Sequence, residues 1–407
     1  MKCGLLGQKL GHSYSPQIHS LLGSYQYSLF EREPEELASF LRSNSFSGLN
    51  VTIPYKKSVI PYLDALSPVA RRLGAVNTIV CRDGRLIGHN TDYFGFRSMV
   101  DQSGLNVQGK KVLVLGSGGA SNTAVAVLEE LHAIPIVISR FGENNYSNLD
   151  LHSDAAVIVN ATPVGMYPHV GVSPIDLAGF PQLEGVLDII YNPGRTQLLQ
   201  DAENRDLVTM NGLWMLVAQA KESAEWFTNS SISNDIIQKI HHNLRLQMEN
   251  IVLIGMPGSG KSTIGKLLAQ QLDKQFVDAD SVIEEKAGSS IPEIFTKQGE
   301  CGFRAIETDV LRDIGKQSGL VIATGGGCVT RKENYPLLHQ NGTIFCLDRN
   351  IASLPTEGRP LSQAGKLEQL YHTRKPLYDH FADHHIDSNG TPQDAVNQIL
   401  QILEERP

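Results

Sequence analysis

Apolar residues along this chain change their period repeatedly, and each change marks an element. Short apolar runs bounded by Gly, Pro or Asn, such as "KVLVLG" from Lys111, read as buried strands, while apolar residues three and four apart read as one face of a helix. Up to about residue 95, short strands ("GLNVTIP", "NTIVCR", "RLIGHNTD") mix with helices, and Pro16, Pro54, Pro61 and Pro68 punctuate the junctions. From Lys110, "KVLVLG" leads into glycines, a helix over Thr123 to Leu131 and a second strand, "IPIVISR", which together make one βαβ half of a doubly wound sheet. "AAVIVNA" and "GVLDIIY" extend it. The spacing predicts helices over Leu213 to Phe227 and Asn234 to Met248, the latter with Ile236, Ile237, Ile240, Leu244 and Met248 on one face and Ser233 or Asn234 as N-cap. A new strand begins at Ile251, so residues 249 to 407 form an α/β unit of their own with almost no linker before it; "TNSSISN" is the only loose stretch.

Composition narrows the class without naming it. A length of 407 suggests two or three domains, and 41% hydrophobic with 19% charged residues suits a globular protein with large cores. The net charge of -8 is spread along the chain, with no basic stripe for nucleic acid or an anionic membrane. Five scattered cysteines form neither C-x-x-C nor a zinc spacing, which fits a reduced compartment. Neither a leader nor an apolar stretch of membrane-spanning length is evident after Met1, so a cytoplasmic enzyme is the expectation.

Two glycine loops carry the chemistry. Gly255 to Ser262 matches G-x-x-x-x-G-K-[ST] between a strand and a helix over Thr263 to Leu272. Such a loop wraps polyphosphate with backbone N–H groups; Lys261 neutralises β/γ charge and Ser262 ligates Mg²⁺. Gly255, Gly258, Ser259, Gly260, Lys261, Ser262 and Thr263 are therefore the expected ATP contacts. After the next strand, "FVDADSVIEE" places Asp278 and Asp280 in alternation at its C-terminal end, where ligands collect in open α/β sheets. One can serve Mg²⁺ while the other orients a hydroxyl. Downstream come "GFRAIE", "ATGGGCV", "EGRPLS" and "TRKPLYD", which supply Arg304, Glu307, Gly325 to Gly327, Arg359 and Arg374.

In that order these elements resemble shikimate kinase across residues 249 to 407. The resemblance implies that Asp280, Arg304, Gly325, Gly326, Gly327 and Arg374 bind shikimate, the two guanidinium groups gripping its carboxylate. Asp280 is then catalytic with Lys261, Ser262 and Asp278 hold Mg²⁺, and Arg359 reaches the ATP phosphates from a lid. That lid, "NIASLPTEGRPLSQ", is short and lacks a second, upstream arginine common in the family.

The first loop, "GSGGAS" from Gly116, sits between "KVLVL" and a helix. The strand after it ends in Ser139-Arg140 with no carboxylate before Glu143, and a guanidinium there can grip the 2′-phosphate of NADP. "GHSYSP" (11–16), "NVTIPYK" (50–56), "GAVNT" (74–78), "HNTD" (89–92), "NATPVGM" (160–166) and "NGLWMLVAQA" (211–220) together resemble shikimate dehydrogenase over residues 1 to about 246. By that resemblance Lys56 and Asp92 form the catalytic dyad, and Ser13, Ser15, Thr52, Asn77, Asp92, Tyr191 and Gln219 bind the substrate. Gly116, Ser117, Gly118, Gly119, Ala120, Arg140, Asn160 and Gly212 take NADP. Ser139-Arg140-Phe141 departs from the family's Asn-Arg-Thr.

The expected fold class is α/β: a substrate-binding domain (1–95, completed by helices in 213–248), a Rossmann-like NADP domain (96–212) and a P-loop kinase domain with a parallel sheet (249–407). The expected partners are small molecules only, 3-dehydroshikimate and shikimate, with NADP(H), ATP and Mg²⁺ as cofactors. Besides two successive enzymes in one chain, two other arrangements stay open: an active dehydrogenase whose kinase-like domain mainly binds nucleotide and shikimate as a regulatory module, or a first domain that is a quinate or shikimate oxidoreductase using NAD, against which Arg140 without an acidic neighbour argues.

Overall fold

Three sheets organise the chain in a computed structural model that describes residues 1–11, 13–43, 45–354 and 364–405. The residues divide into two units, Met1–Val164 with Ser173–Tyr191 and Asp201–Asn243, and Gly165–Val172 with Asn192–Gln200 and Leu244–Pro407.

In the first unit, β1 (Lys2–Gly7), β2 (Gln26–Glu31), β3 (Gly48–Val51), β4 (Ala65–Leu66), β5 (Thr78–Arg82) and β6 (Arg85–His89) form a mixed sheet in the order β2-β1-β3-β5-β6-β4. The β5–β6 hairpin turns on Asp83 and Gly84, at φ 50° and 75°, as an Asp-Gly pair suits. Leu6, Leu41, Leu49 and Ile79 are fully buried in its core beside α2 (Leu37–Arg42) and α3 (Pro68–Leu73); α1 (Ser15–Leu22) and α4 (Asp92–Ser103) complete the helices of this part. The second sheet is wholly parallel: β7 (Lys111–Leu115), β8 (Ile134–Ile138), β9 (Val157–Asn160), β10 (Gly185–Asp188) and β11 (Val208–Met210), in the order β11-β10-β9-β7-β8. The helix after the first glycine loop, α5 (Gly119–Glu130), starts four residues earlier than its apolar period suggests, because the loop's own Gly118 is its N-cap. Next come α6 (Gln197–Glu203), α7 (Leu213–Thr228) and α8 (Asp235–Met248), within which the division between units falls. On α8, Ile237, Ile240, Leu244 and Met248 are buried and Ile236 half-buried.

The second unit is built on β12 (Asn250–Ile254), α9 (Lys261–Leu272), β13 (Gln275–Asp278), α10 (Ala279–Ala287), α11 (Ile291–Gly315), β14 (Leu320–Ala323), α12 (Asn334–His339), β15 (Gly342–Asp348), α13 (Ala364–Phe381), β16 (His384–Asp387) and α14 (Pro392–Glu405). Its parallel sheet runs β13-β14-β12-β15-β16. Both faces are covered, so successive strand residues enter opposite cores: Val252, Ile254, Ile344 and Cys346 on one side, Ile251, Leu253, Phe345 and Leu347 on the other. Segments 165–172 and 192–200 group with this unit, where the Gly194 and Arg195 amides donate to Asn341 Oδ1 (2.8 Å) and the Gln340 carbonyl (2.7 Å).

In each parallel sheet the first strand, β7 or β12, has later strands on both sides. Its C-terminal end is the switch point at which α/β sheets bind ligands, and both glycine loops lie there. The expected α/β class, with a dinucleotide-type sheet and a P-loop sheet, is the one observed. No helix among the described residues is long and apolar enough to cross a membrane.

Candidate active sites

In the first unit Lys56 follows β3 and Asp92 opens α4, and Lys56 Nζ donates to Asp92 Oδ2 at 2.7 Å. The pair is only partly covered, 32% and 18% of the side chains remaining exposed, so it stays open to a ligand. Beside Asp92 the chain turns buried and neutral. The Thr91 amide donates to Asn77 Oδ1 (2.7 Å), Asn77 Nδ2 donates to Thr91 Oγ1 (3.1 Å), and Thr91 Oγ1 lies 2.9 Å from Ser223 Oγ. Ser223 is the hub: its hydroxyl also meets Thr78 Oγ1 and accepts from Asn50 Nδ2, both at 2.8 Å. Asn50 Oδ1 accepts from Tyr27 (2.8 Å), whose hydroxyl hydrogen-bonds Ser15. A continuous chain of polar groups thus links Ser15 to Asn77 through the interior.

Helix packing sets this arrangement. A Cβ at Gly95 of α4 would lie 2.8 Å from the Met215 carbonyl and 3.0 Å from Gln219 Cβ, so only glycine lets α4 approach α7 and brings Gln219 Oε1 to 3.4 Å from Thr91 Oγ1. Ser13 Oγ accepts from the Ser15 amide (3.2 Å) at the start of α1, and the Thr52 amide is held by the Leu6 carbonyl (2.9 Å). Tyr191 packs edge-on to Tyr14 with ring centroids 6.3 Å apart, and burial raises the pKa of both phenols.

At the first glycine loop, Gly116 has φ 102°, and a Cβ there would press on Thr162 Cγ2 and the Ala161 carbonyl at 3.0 and 3.1 Å. Cβ atoms at Gly118 and Gly119 would meet nothing within 4 Å, so Ser117, Gly118, Gly119 and Ala120 leave the N-terminus of α5 open, as an anion site requires. Asn160, fully buried, donates to Asp188 Oδ1 (3.0 Å) and accepts from the Thr162 amide (3.1 Å). A Cβ at Gly212 would lie 1.9 Å from the Ile189 carbonyl, which fixes glycine there. Arg140 stands exposed beyond β8.

The second unit gathers charge instead. Gly255, Gly258 and Gly260 all have positive φ (139°, 89° and 98°), a backbone path that side chains oppose. The loop delivers Lys261 and Ser262 into the first turn of α9, with Thr263 behind them. Lys261 Nζ donates to the Gly255 and Met256 carbonyls (2.9 and 3.0 Å), Ser262 Oγ donates to Asp278 Oδ2 (2.7 Å), and the Ser259 hydroxyl is buried without a partner among the described residues. Asp278 and Asp280 do not alternate on a strand as their spacing suggests. Asp278 ends β13 and caps α10, accepting from the Asp280 amide (3.1 Å), so Asp280 lies in the first helical turn.

Arg304 of α11 is buried and donates to Glu307 Oε2 at 2.7 Å. Both carry a further buried atom, Arg304 Nε and Glu307 Oε1, with no hydrogen-bond partner among the described residues. The triple glycine fits against these groups: a Cβ at Gly325 would lie 2.7 Å from Asp280 Oδ1, and one at Gly327 2.0 Å from an Arg304 nitrogen. Arg374 donates to the Gly326 carbonyl (3.1 Å), which also accepts from Tyr378. Burial, then Asp278, raises the Asp280 carboxyl above the ordinary carboxylate range, with Lys261 and Arg304 opposing. Burial works against the charge on Arg304, but Glu307 and Glu300 outweigh it and the guanidinium stays protonated. Arg359 lies outside the described residues.

The structure therefore brings Lys56, Asp92, Asn77 and Gln219 into one cluster, and Asp280, Arg304, Arg374 and the glycines into another. Sequence reading passed over Tyr27, Asn50, Thr78, Thr91 and Ser223, although all but Tyr27 and Ser223 lie inside the motifs it quotes. It noted Glu307 without a role, and Tyr378 only as part of "TRKPLYD".

A Lys–carboxylate dyad in the unit that carries an open dinucleotide-type loop, and a phosphate loop beside buried arginines, define an oxidoreductase fused to a phosphotransferase. Comparison with known proteins agrees. Residues 5–79 match the family model of the shikimate dehydrogenase substrate binding domain, and residues 257–404 that of shikimate kinase. The chain is 33% identical over 264 residues to a shikimate dehydrogenase (NADP(+)) of Clostridium perfringens, covering 60% of this chain and 97% of the relative. A crystal structure of shikimate dehydrogenase 1 from Peptoclostridium difficile matches with TM-score 0.55 and 40% identity, over 60% of this chain and 98% of that one. Shikimate 5-dehydrogenase from Thermus thermophilus, solved with NADP(H) and shikimate, matches with TM-score 0.55 and 29% identity, over 60% and 99%. The chain belongs to the shikimate dehydrogenase family and carries a shikimate kinase domain in addition.

Proposed function

We propose that the chain catalyses two successive steps: reduction of 3-dehydroshikimate to shikimate with NADPH, then phosphorylation of the shikimate 3-hydroxyl with ATP. NADPH, when bound, supplies a hydride to the ketone carbon. The carbonyl oxygen gains negative charge as that bond forms, and Lys56, held at 2.7 Å by Asp92, is the group placed to hand it a proton. Asn77 and Gln219 orient ring hydroxyls while Ser13 and Ser15 take the carboxylate, with Thr52 and Tyr191 closing the pocket. The open N-terminus of α5 suits the pyrophosphate, and Arg140 just beyond β8, with no carboxylate before Glu143 in the chain, suits a 2′-phosphate, which favours NADP.

In the kinase unit, the phosphate loop and Lys261 hold the triphosphate. Ser262 and Asp278, hard oxygen donors 2.7 Å apart, suit Mg²⁺. The observation that carries the kinase half is the unpartnered Arg304 Nε beside Asp280 and Arg374: a buried guanidinium that keeps a free donor after pairing with Glu307 can take a second carboxylate, and shikimate has one. Asp280, its carboxyl raised by burial and by Asp278, takes the proton of the 3-hydroxyl as its oxygen bonds to the γ-phosphorus and ADP departs. Shikimate incubated directly with Mg-ATP should yield shikimate 3-phosphate, and 3-dehydroshikimate should oxidise NADPH. Phosphorylation absent in a chain that still reduces would leave the kinase domain as a binding module.

A further inference from the structure

At the C-terminal ends of β15 and β16, one strand over from the phosphate loop, three unlike ligands with no assigned role converge. β15 and β16 run parallel with Cys346 opposite His385, and Asp348 follows Cys346 by two residues. Strand periodicity sets Cys346 and Asp348 on one face, and the pairing sets His385 beside them. Cys346 Sγ lies 3.7 Å from Asp348 Oδ1, and His385 Nδ1 lies 2.8 Å from Asp348 Oδ2. One ligand atom from each residue falls within 4.8 Å of the other two. Metal–ligand bonds of about 2.0 to 2.3 Å in a tetrahedron separate the ligands by about 3.3 to 3.8 Å, so small side-chain rotations would centre an ion.

We propose that Cys346, Asp348 and His385 form a binding site for a divalent cation of the zinc class. A thiolate, an imidazole and a carboxylate match zinc and mismatch magnesium and calcium, which take oxygen ligands alone. The other ring nitrogen of His385 adds a second feature of such sites: Nε2 is 3.6 Å from Asp379 Oδ1 on α13, the place of a carboxylate that orients a ligating imidazole. Asp379 is itself held by Lys375 Nζ at 3.0 Å. Cys346 is buried while Asp348 and His385 are exposed, so an ion can enter from solvent and close its inner position on sulfur. Burial, then Asp348, raises the thiol pKa, so binding exchanges the S–H proton for the metal and releases it to solvent. Because α13 also carries Arg374, the ion would tie the end of the sheet to the helix that presents a substrate arginine.

The test is Co²⁺ titration of the full chain after chelator treatment, since cobalt(II) reports both thiolate ligation and four-coordinate geometry. The expected result is a thiolate-to-cobalt charge-transfer band with strong d–d absorption, displaced by Zn²⁺ and untouched by excess Mg²⁺. Cys346→Ser should abolish the band, and His385→Ala, at an exposed position, should weaken binding about tenfold or more, while Cys301→Ser leaves both unchanged. Absence of the band, its persistence in Cys346→Ser, or unaltered affinity in His385→Ala overturns the proposal.

Discussion

The two units build their candidate sites with opposite physical means. In the dehydrogenase unit a single ionic pair, Lys56–Asp92, borders a buried lattice of neutral donors and acceptors centred on Ser223. In the kinase unit the interior itself is charged, with Arg304, Glu307, Asp280 and Lys261 packed around glycines. The difference follows the chemistry. Ketone reduction needs one mobile proton and fixed hydroxyls, which neutral hydrogen bonds orient without large desolvation costs. Phosphoryl transfer must hold a triphosphate against a nucleophile, and only closely set opposite charges do that. It follows that the first site should fail by losing a proton donor or a register of hydrogen bonds, and the second by leaving a charge uncompensated.

The sharpest break in that contrast is Lys56→Ala, which should lower the reductase rate by about 10²- to 10⁴-fold and leave shikimate phosphorylation unchanged; steady-state rates of both reactions on one preparation check it. Glu307→Gln should act on stability: stripping Arg304 of its buried partner costs about 3–5 kcal/mol, read as a lower urea midpoint for the kinase unit alone. Replacing both partners with apolar residues should restore much of that loss without restoring phosphorylation. Ser223→Ala leaves Asn50, Thr78 and Thr91 short of a partner, at about 1–3 kcal/mol, and should raise KM for 3-dehydroshikimate more than it lowers kcat. Arg140→Ala should raise KM for NADPH about tenfold, the loss of one charge-assisted contact, with NADH unaffected.

A pH slope confined to the dehydrogenase unit separates the two units further. Burial lowers His19 to about 3, and burial with Arg82 lowers His89 to about 4, from an ordinary 6.5. Both imidazoles stay neutral in the fold, so the unfolded chain binds more protons below 6.5, and stability complete above that pH falls toward 4 and then 3. His89→Asn should flatten the upper part of this slope in thermal melts.

Local chemistry was legible from the residues alone. The glycine loops announce strand–loop–helix units, Asp83-Gly84 announces a hairpin, and Arg304 with Glu307 sits at i,i+3 spacing on one helix face. Long-range convergence was not. Ser223 meets Thr78 across 145 residues, and the packing of α7 against the sheet at β5 brings it there. His385 reaches Asp348 across 37 residues through strand pairing that no local period encodes. Asp280 was misplaced on a strand because alternating carboxylates suit a strand end and a capped helix start equally well, and the hydrogen bond from its amide to Asp278 decides between them.

The central claim, that the acid made in one unit is consumed by the other, is tested most directly by isotopic labelling. The full chain is given 3-dehydroshikimate, Mg-ATP and NADPH carrying deuterium at the transferred position, and the product is weighed by mass spectrometry. One deuterium and one phosphoryl group on the same molecule is the predicted result. Deuterated shikimate that accumulates without phosphate would contradict it.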